Sequence, residues 1–561
     1  MNFVTKEPIN KGWSSDKKYC VTDENGTRYL LRVSDIAQHD TKQSEFNMMK
    51  QVASFGVPMC QPIEFGTCED GVYSIQSWID GEDAEQVMSG YSDTEQYVYG
   101  LEAGRILRKI HSIPAPATQE DWEIRFNRKM DYKIKKYVEC PIKYENGQAF
   151  IDYINENHHL LKNRPQVYQH GDYHIGNMMI DRGGQLHVID FNRNDYGDPW
   201  EEFNRIVWCA QKAPLFTSGM VNGYFDNNVP MEFWKLLALY ISSNTLSSVY
   251  WAIPFGQDEV NTMLNQAKEV LSWYDNMRNP VPTWYFKGYY LQYIDGIPFK
   301  LKSTFDFSFM KEYGTVFKVY DDQDSGNICF GTEKDGQRYF VKFAGAPTEQ
   351  YGGDPADAIS RLKATLPIYS DLKHENLIEL IEAKEIGAGF AMVFKWADGD
   401  CMGRMSPAAY RRFIQLPIND RLAVFSDILS FLECVVSRNL CSHRFFMTAA
   451  LCMILVNGKT TICDIDLFRK QPCVNDMGHM WGSSRFQSPE EHQLGADIDE
   501  ITNVYTLGAT AFALFGEYNR TREKWQLSDK LFEIATRAVS DDRANRQQTI
   551  RQFTAEWEAA Q

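Results

Sequence analysis

The segment 170–180, HGDYHIGNMMI, places two imidazoles, a carboxylate and an amide inside eight residues, and a further carboxylate, Asp190, follows in QLHVIDF. Three chemistries are open to this pattern. His170, His174 and Asp172 are ligand types for a transition metal. The same residues would also suit a solvated turn. The third option is phosphoryl transfer, in which one carboxylate accepts the proton of an attacking hydroxyl while an amide oxygen and a second carboxylate hold Mg²⁺. Spacing bears on the choice. Asp172 and Asn177 are five positions apart, and Asp190 lies thirteen beyond Asn177. Between them, MMIDRGGQLHVIDF predicts a short hairpin turning at Gly183-Gly184, whose ends meet. Asn177 and Asp190 then face one point, and Asp172 remains free to orient a hydroxyl.

These residues need a scaffold, and the chain is long enough for more than one. At roughly 150 residues per domain, 561 residues exceed a single core. A hydrophobic share of 43% with 14% aromatics is that of a folded globular protein. The net charge of −17 argues against a broad nucleic-acid or anionic-membrane surface, so neither partner is expected. It leaves room for ATP, which needs only a local cationic site and Mg²⁺. The first residues carry no basic-then-apolar leader. The most apolar helical stretch, FWKLLALYISSNTLSSVYWAIPF, is interrupted by Lys235, Asn244 and two serine pairs, and reads as a buried helix. Twelve cysteines without a C-x-x-C pair suit a reducing cytoplasm.

The chain repeats one order of elements. KYCVTDENGTRYLLRVS predicts two strands around Asn25-Gly26, and GNICFGTEKDGQRYFVKFAG two strands around Asp335-Gly336. Each pair is followed by a helical stretch and an apolar strand, VYSIQSWIDG in the first half and FAMVFKWADG in the second. Each half then becomes mainly helical, with a late hairpin that ends in aspartate. This predicts an α+β protein of two bilobal modules in tandem, each a small β-rich lobe and a larger helical lobe. Their bounds are 1–280 and 305–561, joined by a Pro-rich connecting segment, 281–304.

HGDYHIGNMMI with VIDFNRNDYGDPWEE resembles the signature of the aminoglycoside phosphotransferase family, which has a protein-kinase-like fold. The pattern H-G-D-x-H-x-x-N is complete, and the resemblance covers residues 5–275. It implies Asp172 as catalytic aspartate, Asn177 and Asp190 as Mg²⁺ ligands, and His170 and His174 as braces of the loop. It implies ATP as co-substrate and a small-molecule hydroxyl as acceptor. On the nucleotide side it points to Arg32 in place of the usual strand lysine, with Glu45 as its helix partner. Gly12, Ser14 and Ser15 fall in the loop over the phosphates, and Gln76 and Trp78 in the hinge at adenine. The acceptor is expected near 124–165 and near GDPWEEFNR. There Asp195, Asp198, Glu201 and Glu202 would either attract a cationic acceptor or form a helix-terminal acidic turn capped by Asp198.

The second module resembles a Ser/Thr protein kinase domain. RYFVKF supplies Lys342 as the phosphate-binding lysine, CDIDLF supplies Asp464 as metal aspartate, and Glu490 in QSPEEH is expected to pair with Arg546. Asn503 takes the place of an aspartate. The catalytic loop departs from the pattern, since His443 and Arg444 are followed by Phe445. No glutamate lies near Thr365 to pair with Lys342. The resemblance therefore implies a pseudokinase, with a protein partner for this module. A compensated frame slip across Cys441–Leu455 would also account for an apolar run in a normally polar loop. Two further readings stand beside small-molecule phosphotransfer. One is a protein kinase whose substrate the first module recognises; the other is a non-catalytic nucleotide-binding regulator.

Overall fold

The structure, a computed structural model, describes residues 3–10, 16–401, 407–437, 440–442, 453–456, 459–466, 468–470 and 473–561. It divides into two compact units, Met1–Gly288 and Tyr289–Gln561. Gly12, Ser14 and Ser15, expected in the loop over the phosphates, lie outside the described residues. So do His443, Arg444 and Phe445, and with them most of the stretch of the frame-slip reading.

The first unit opens with β1 (Phe3–Pro8), β2 (Lys17–Asp23), β3 (Arg28–Ser34), the helix α1 (His39–Ser54), β4 (Pro62–Cys68) and β5 (Gly71–Ser77). The five strands form one sheet in the order β1-β2-β3-β5-β4. The β2–β3 turn is closed by Asp23, whose carboxylate accepts from the backbone N–H groups of Asn25 and Thr27, both at 2.9 Å. Gly26 supplies the left-handed residue at φ 80°. Strand alternation turns Val21, Leu31, Val33 and Ile75 into one apolar face.

The helical part follows, with the short strands β6 (Gly81–Asp83), β7 (Val167–Gln169), β8 (Met178–Asp181), β9 (Leu186–Val188) and β10 (Asp195–Gly197) set among its helices. Helix Asp93–Ile110 starts in a capping box, Ser92 with Glu95. It runs so close to helix Pro214–Tyr224 that a Cβ on Gly100 would lie 2.1 Å from the Phe216 carbonyl oxygen. Helix Met231–Ala252 is buried along most of its length. No helix of the described residues is long and apolar enough to cross a membrane.

The second unit begins with a hairpin, β11 (Tyr290–Ile294) and β12 (Ile297–Leu301). The segment expected to connect two modules is thus partly built structure. Phe299 and Leu301, two apart on one strand face, join the core of the following sheet, which is why this stretch is ordered. That sheet holds β13 (Thr315–Tyr320), β14 (Asn327–Lys334), β15 (Gln337–Ala344), β16 (Leu380–Ile386) and β17 (Gly389–Lys395), in the order β13-β14-β15-β17-β16. Helix Pro355–Asp371 falls between its third and fourth strands, as α1 does in the first unit. Strand order and helix insertion are therefore the same in both units. The tight turn Asp335-Gly336 has positive φ at both residues, 53° and 73°, the geometry of a type I′ hairpin.

Candidate active site

Strand β7 (Val167–Gln169) leads into the loop that holds Asp172, and β10 (Asp195–Gly197) pairs with it antiparallel on the way out. The loop is anchored by its apolar residues. Tyr173 and Ile175 are buried, and the Tyr173 hydroxyl donates to the Ala103 carbonyl at 2.7 Å. Gly171 is positioned at φ 85°, where a Cβ would collide with the Arg193 carbonyl oxygen. Its N–H donates to the buried carboxylate of Glu202 at 2.9 Å.

His170 is fully buried. Its Nε2 bonds the Ile189 carbonyl oxygen at 3.0 Å, and its Nδ1 accepts from the Asp172 N–H at 3.3 Å. One neutral tautomer satisfies both bonds, and burial keeps the imidazole pKa low. With both nitrogens engaged, His170 ties the loop to the hairpin and has no lone pair to offer a metal. His174 Nδ1 accepts from the Gly176 N–H at 3.1 Å, while its Nε2 lies 3.8 Å from Asp172 Oδ1.

The expected hairpin forms from β8 (Met178–Asp181) and β9 (Leu186–Val188). Asp181 closes its turn by accepting from the Gly183 and Gln185 N–H groups. The Ile189 N–H donates to the Asn177 carbonyl at 3.0 Å, so Asn177 and Asp190 stand nearly across from each other. Asp190 itself is left-handed, at φ 69°. Asn177 Nδ2 donates to the Asp172 carbonyl oxygen at 2.8 Å and lies 3.3 Å from its carboxylate. The structure brings Asp172, Asn177 and Asp190 into one corner.

These groups fit a hard cation. The nitrogen of the Asn177 amide is spent on Asp172, and one oxygen of Asp190 on Arg32. Among the described residues, the amide oxygen of Asn177 and the second oxygen of Asp190 carry no hydrogen bond. Two oxygen donors suit Mg²⁺, which completes its shell with water and phosphate. No group of three or more His, Cys, Asp or Glu able to hold a metal occurs among the described residues.

Asp172 is surrounded by cations. Arg205 Nε is 3.4 Å from its Oδ1 and Arg193 Nη1 3.8 Å from its Oδ2. Burial pulls its pKa upward, but the contact with His174 and the charges of Arg205 and Arg193 outweigh it and hold the carboxyl below the usual range.

Arg32 on β3 donates to Asp190 Oδ1 at 3.0 Å and to Asp16 Oδ2 at 2.9 Å. The expected partner, Glu45, is not the one it takes. Glu45 is bound by Lys42 at 3.0 Å, three residues earlier on α1. Asp16 stands between the helix and the strand, fixed by the Ser34 hydroxyl at 2.8 Å and by Lys42 at 3.2 Å. Asp16 and Lys42 escaped the sequence reading because neither position belongs to the kinase pattern. Burial opposes the charge of Arg32, but Asp190 and Asp16 more than offset it and keep the guanidinium protonated.

The two residues expected at the hinge differ in their surroundings. Gln76 is buried and its amide contacts Met49 on α1. Trp78 lies under the Arg28 guanidinium at 5.5 Å and lines a pocket of about 500 Å³ with Met59, Gln61, Asp181 and His187.

The acidic run after the loop is built in. Asp198 is fully buried and accepts from Arg164 Nε at 2.6 Å and Nη2 at 3.0 Å, from the Tyr240 hydroxyl at 2.6 Å, and from the Trp200 N–H at 2.9 Å. It belongs to the turn and not to a ligand surface. Asp198→Ala is expected to destabilise the first unit by about 3–5 kcal/mol, because it leaves a nearly buried guanidinium with only the exposed Glu232, at 3.6 Å, as ion-pair partner. Chemical denaturation of the full chain measures this; a loss below about 1 kcal/mol would mean that water replaces the carboxylate.

In the second unit Lys342 on β15 donates to Asp464 Oδ1 and Asp466 Oδ2, both at 2.7 Å. Asp464 is left-handed at φ 60°, as Asp190 is in the first unit. Asp466 was not anticipated. The Tyr369 hydroxyl, on helix Pro355–Asp371, lies 3.3 Å from it, and Thr365 is buried against Met392. Two carboxylates thus pair with Lys342. Glu490 accepts from Arg546 through both oxygens, at 2.6 and 3.0 Å, and from Arg543 at 2.8 Å.

Residues 5–234 match the model of the phosphotransferase enzyme family. The matched region holds the sheet, the Asp172 loop and the Asn177–Asp190 hairpin. No curated protein matches the chain. Among solved structures, aminoglycoside phosphotransferase APH(4)-Ia is 17% identical with a TM-score of 0.38, covering 48% of this chain and 94% of that one. A mutant of aminoglycoside 2'-phosphotransferase-IIIa in complex with GDP is 14% identical with a TM-score of 0.38, covering 50% and 95%. A ternary complex of APH(4)-Ia with AMP-PNP and hygromycin B is 16% identical, also with a TM-score of 0.38, covering 48% and 94%.

Proposed function

We propose that the first unit is an ATP- and Mg²⁺-dependent phosphotransferase whose acceptor is the hydroxyl of a small molecule. The observation that carries this reading is the corner shared by Asp172, Asn177 and Asp190 inside the family match. Asp172 orients the acceptor hydroxyl and takes its proton as the hydroxyl oxygen bonds to the γ-phosphorus. The bond from that phosphorus to the β–γ bridging oxygen breaks, and ADP departs with the electron pair. Asn177 and Asp190 would hold Mg²⁺, which neutralises the phosphate oxygens when bound. Arg32 fixes Asp190 from the sheet side, and His170 holds the loop against the hairpin. Phosphorus NMR of ATP incubated with the chain and a panel of hydroxyl compounds tests the reading. A new phosphate-ester resonance with ADP supports it; orthophosphate alone with every compound contradicts it.

The second unit is read as a kinase-like nucleotide-binding module without a catalytic base, and hence as a site for a protein partner. Support comes from the Lys342–Asp464 pair and from Phe445 after His443-Arg444 in the sequence. The same pair keeps protein kinase activity as a second reading. A chain cut between Gly288 and Tyr289 is expected to give two parts that each melt cooperatively, the first retaining phosphotransfer. Aggregation of the first part, rescued by adding the second, would show instead that the units complete one another.

A further inference from the structure

The second unit carries two histidines on one frame. Residues 475–480 and the turn Pro489–His492 are tied together from beneath by buried polar groups. The fully buried Asn475 side chain accepts from the Met477 and Gly478 N–H groups at 3.1 and 2.9 Å. Its amide nitrogen donates to the carbonyl oxygens of Gly478 and Glu490 at 2.8 and 3.2 Å. The Met480 N–H donates to the Glu491 carbonyl at 2.9 Å, and the buried Gln487 amide donates to the Met480 carbonyl at 2.6 Å. Glu491 closes the turn by accepting from the Ser488 N–H and hydroxyl. His479 and His492 are thus set side by side by bonds on their neighbours, while both remain exposed.

The two imidazoles meet through the same atom. Their Nδ1 atoms are 2.9 Å apart, the ring centroids 4.6 Å apart, and the ring planes inclined at 66°. A straight N–H···N bond of that length would hold the centroids about 5.2 Å apart. Two imidazoles on one ion, each at about 2.0–2.1 Å, behave differently: nitrogens spaced as here subtend about 90° at the ion, and the centroids stand about 4.5 Å apart. The observed spacing matches the second arrangement. Neither ring has another hydrogen bond among the described residues. Each Nδ1 therefore offers its lone pair once the ring proton sits on Nε2.

We infer that His479 and His492 form a bidentate site for a late first-row transition dication, with water in the remaining positions. A right angle at the ion is a cis pair of a tetragonal or octahedral shell, which suits Cu²⁺ and Ni²⁺; tetrahedral Zn²⁺ asks for nitrogens about 3.3 Å apart. Two protein donors, in place of the three or more of a closed structural site, make the ion exchangeable. When bound, it clips residues 475–480 to the turn. None of these residues belongs to the Asp172 corner or to the Lys342–Asp464 pair, so the site stands whatever the chain phosphorylates.

Calorimetric titration of the full chain with Ni²⁺ tests the inference, with His479→Gln, His492→Gln and the double variant alongside. Loss of an outer-shell partner costs a metal site about 10–100-fold, so loss of either ligand should weaken the strongest Ni²⁺ site by at least about tenfold. The double variant should lose little beyond either single one, because both nitrogens act on one ion. Hydrogen exchange read by mass spectrometry should show Ni²⁺ slowing the amides of residues 473–493 in the unaltered chain and in none of the variants. Affinity unchanged in either single variant overturns the inference, and so does protection of these amides that persists in the double variant.

Discussion

Asp172→Ala is expected to lower turnover by about 10²–10⁴-fold, the range of lost general-base assistance, with ATP affinity unchanged. The carboxylate approaches the nucleotide side only through Asn177, so its loss leaves the Arg32–Asp190 contact in place. The cations around Asp172 add a detail. They hold its carboxyl below the ordinary range, so it is ionised throughout the neutral region and is a weak base. Its part is then mainly to orient the hydroxyl and to accept the proton late, which suits a loose phosphoryl-transfer transition state. Accordingly, the acid limb of a kcat profile should not come from Asp172 at any pH above the usual carboxylate values. Steady-state turnover and an ATP titration, run on the same variant, separate the two effects. If affinity falls in step with turnover, Asp172 holds the loop together and does not act on the substrate.

Asp190→Ala should cost at least as much, about 10³-fold or more in turnover, because a metal contributes several kcal/mol of charge stabilisation. Here binding falls as well. The variant loses the charged one of the two oxygen donors proposed for the ion and leaves Arg32 paired with Asp16 alone. Asn177→Ala should weaken Mg²⁺-dependent nucleotide binding less, since an amide brings no charge to offset the ion. ATP titrated with Mg²⁺ and again with EDTA measures the difference. An undiminished Mg²⁺ increment in Asp190→Ala would place the ion elsewhere.

Much of this site was legible because it is local. The interval from Asn177 to Asp190 is one hairpin, and a Gly-Gly turn between two apolar runs fixes its register. The sheet strands could be read for the same reason, from period-two alternation around Asn25-Gly26 and Asp335-Gly336. What the sequence hid is tertiary. Which acid meets Arg32 depends on how α1 lies on the sheet, and a helix offers Lys42 to Glu45 before Arg32 can reach it. Asp466 answers Lys342 for a similar reason, since its neighbour Asp464 turns through a left-handed residue. From the sequence, Asp198 and Glu202 suit a cationic acceptor or a helix-terminal acidic turn equally. Only the positions of Arg164, Tyr240 and the Gly171 N–H turn them inward. Within the connecting segment 281–304, Pro residues obscure the alternation of Ile297, Phe299 and Leu301 that builds β12.

The central claim is that the first unit, through Asp172, moves phosphate to a small molecule. Radiolabelled ATP offered to the full chain together with hydroxylated small molecules and a generic protein substrate tests it most directly, with Asp172→Ala and Asp464→Ala run in parallel. The account predicts label in the small-molecule fraction that survives Asp464→Ala and disappears in Asp172→Ala. Label in the protein fraction that survives Asp172→Ala and disappears in Asp464→Ala would contradict it.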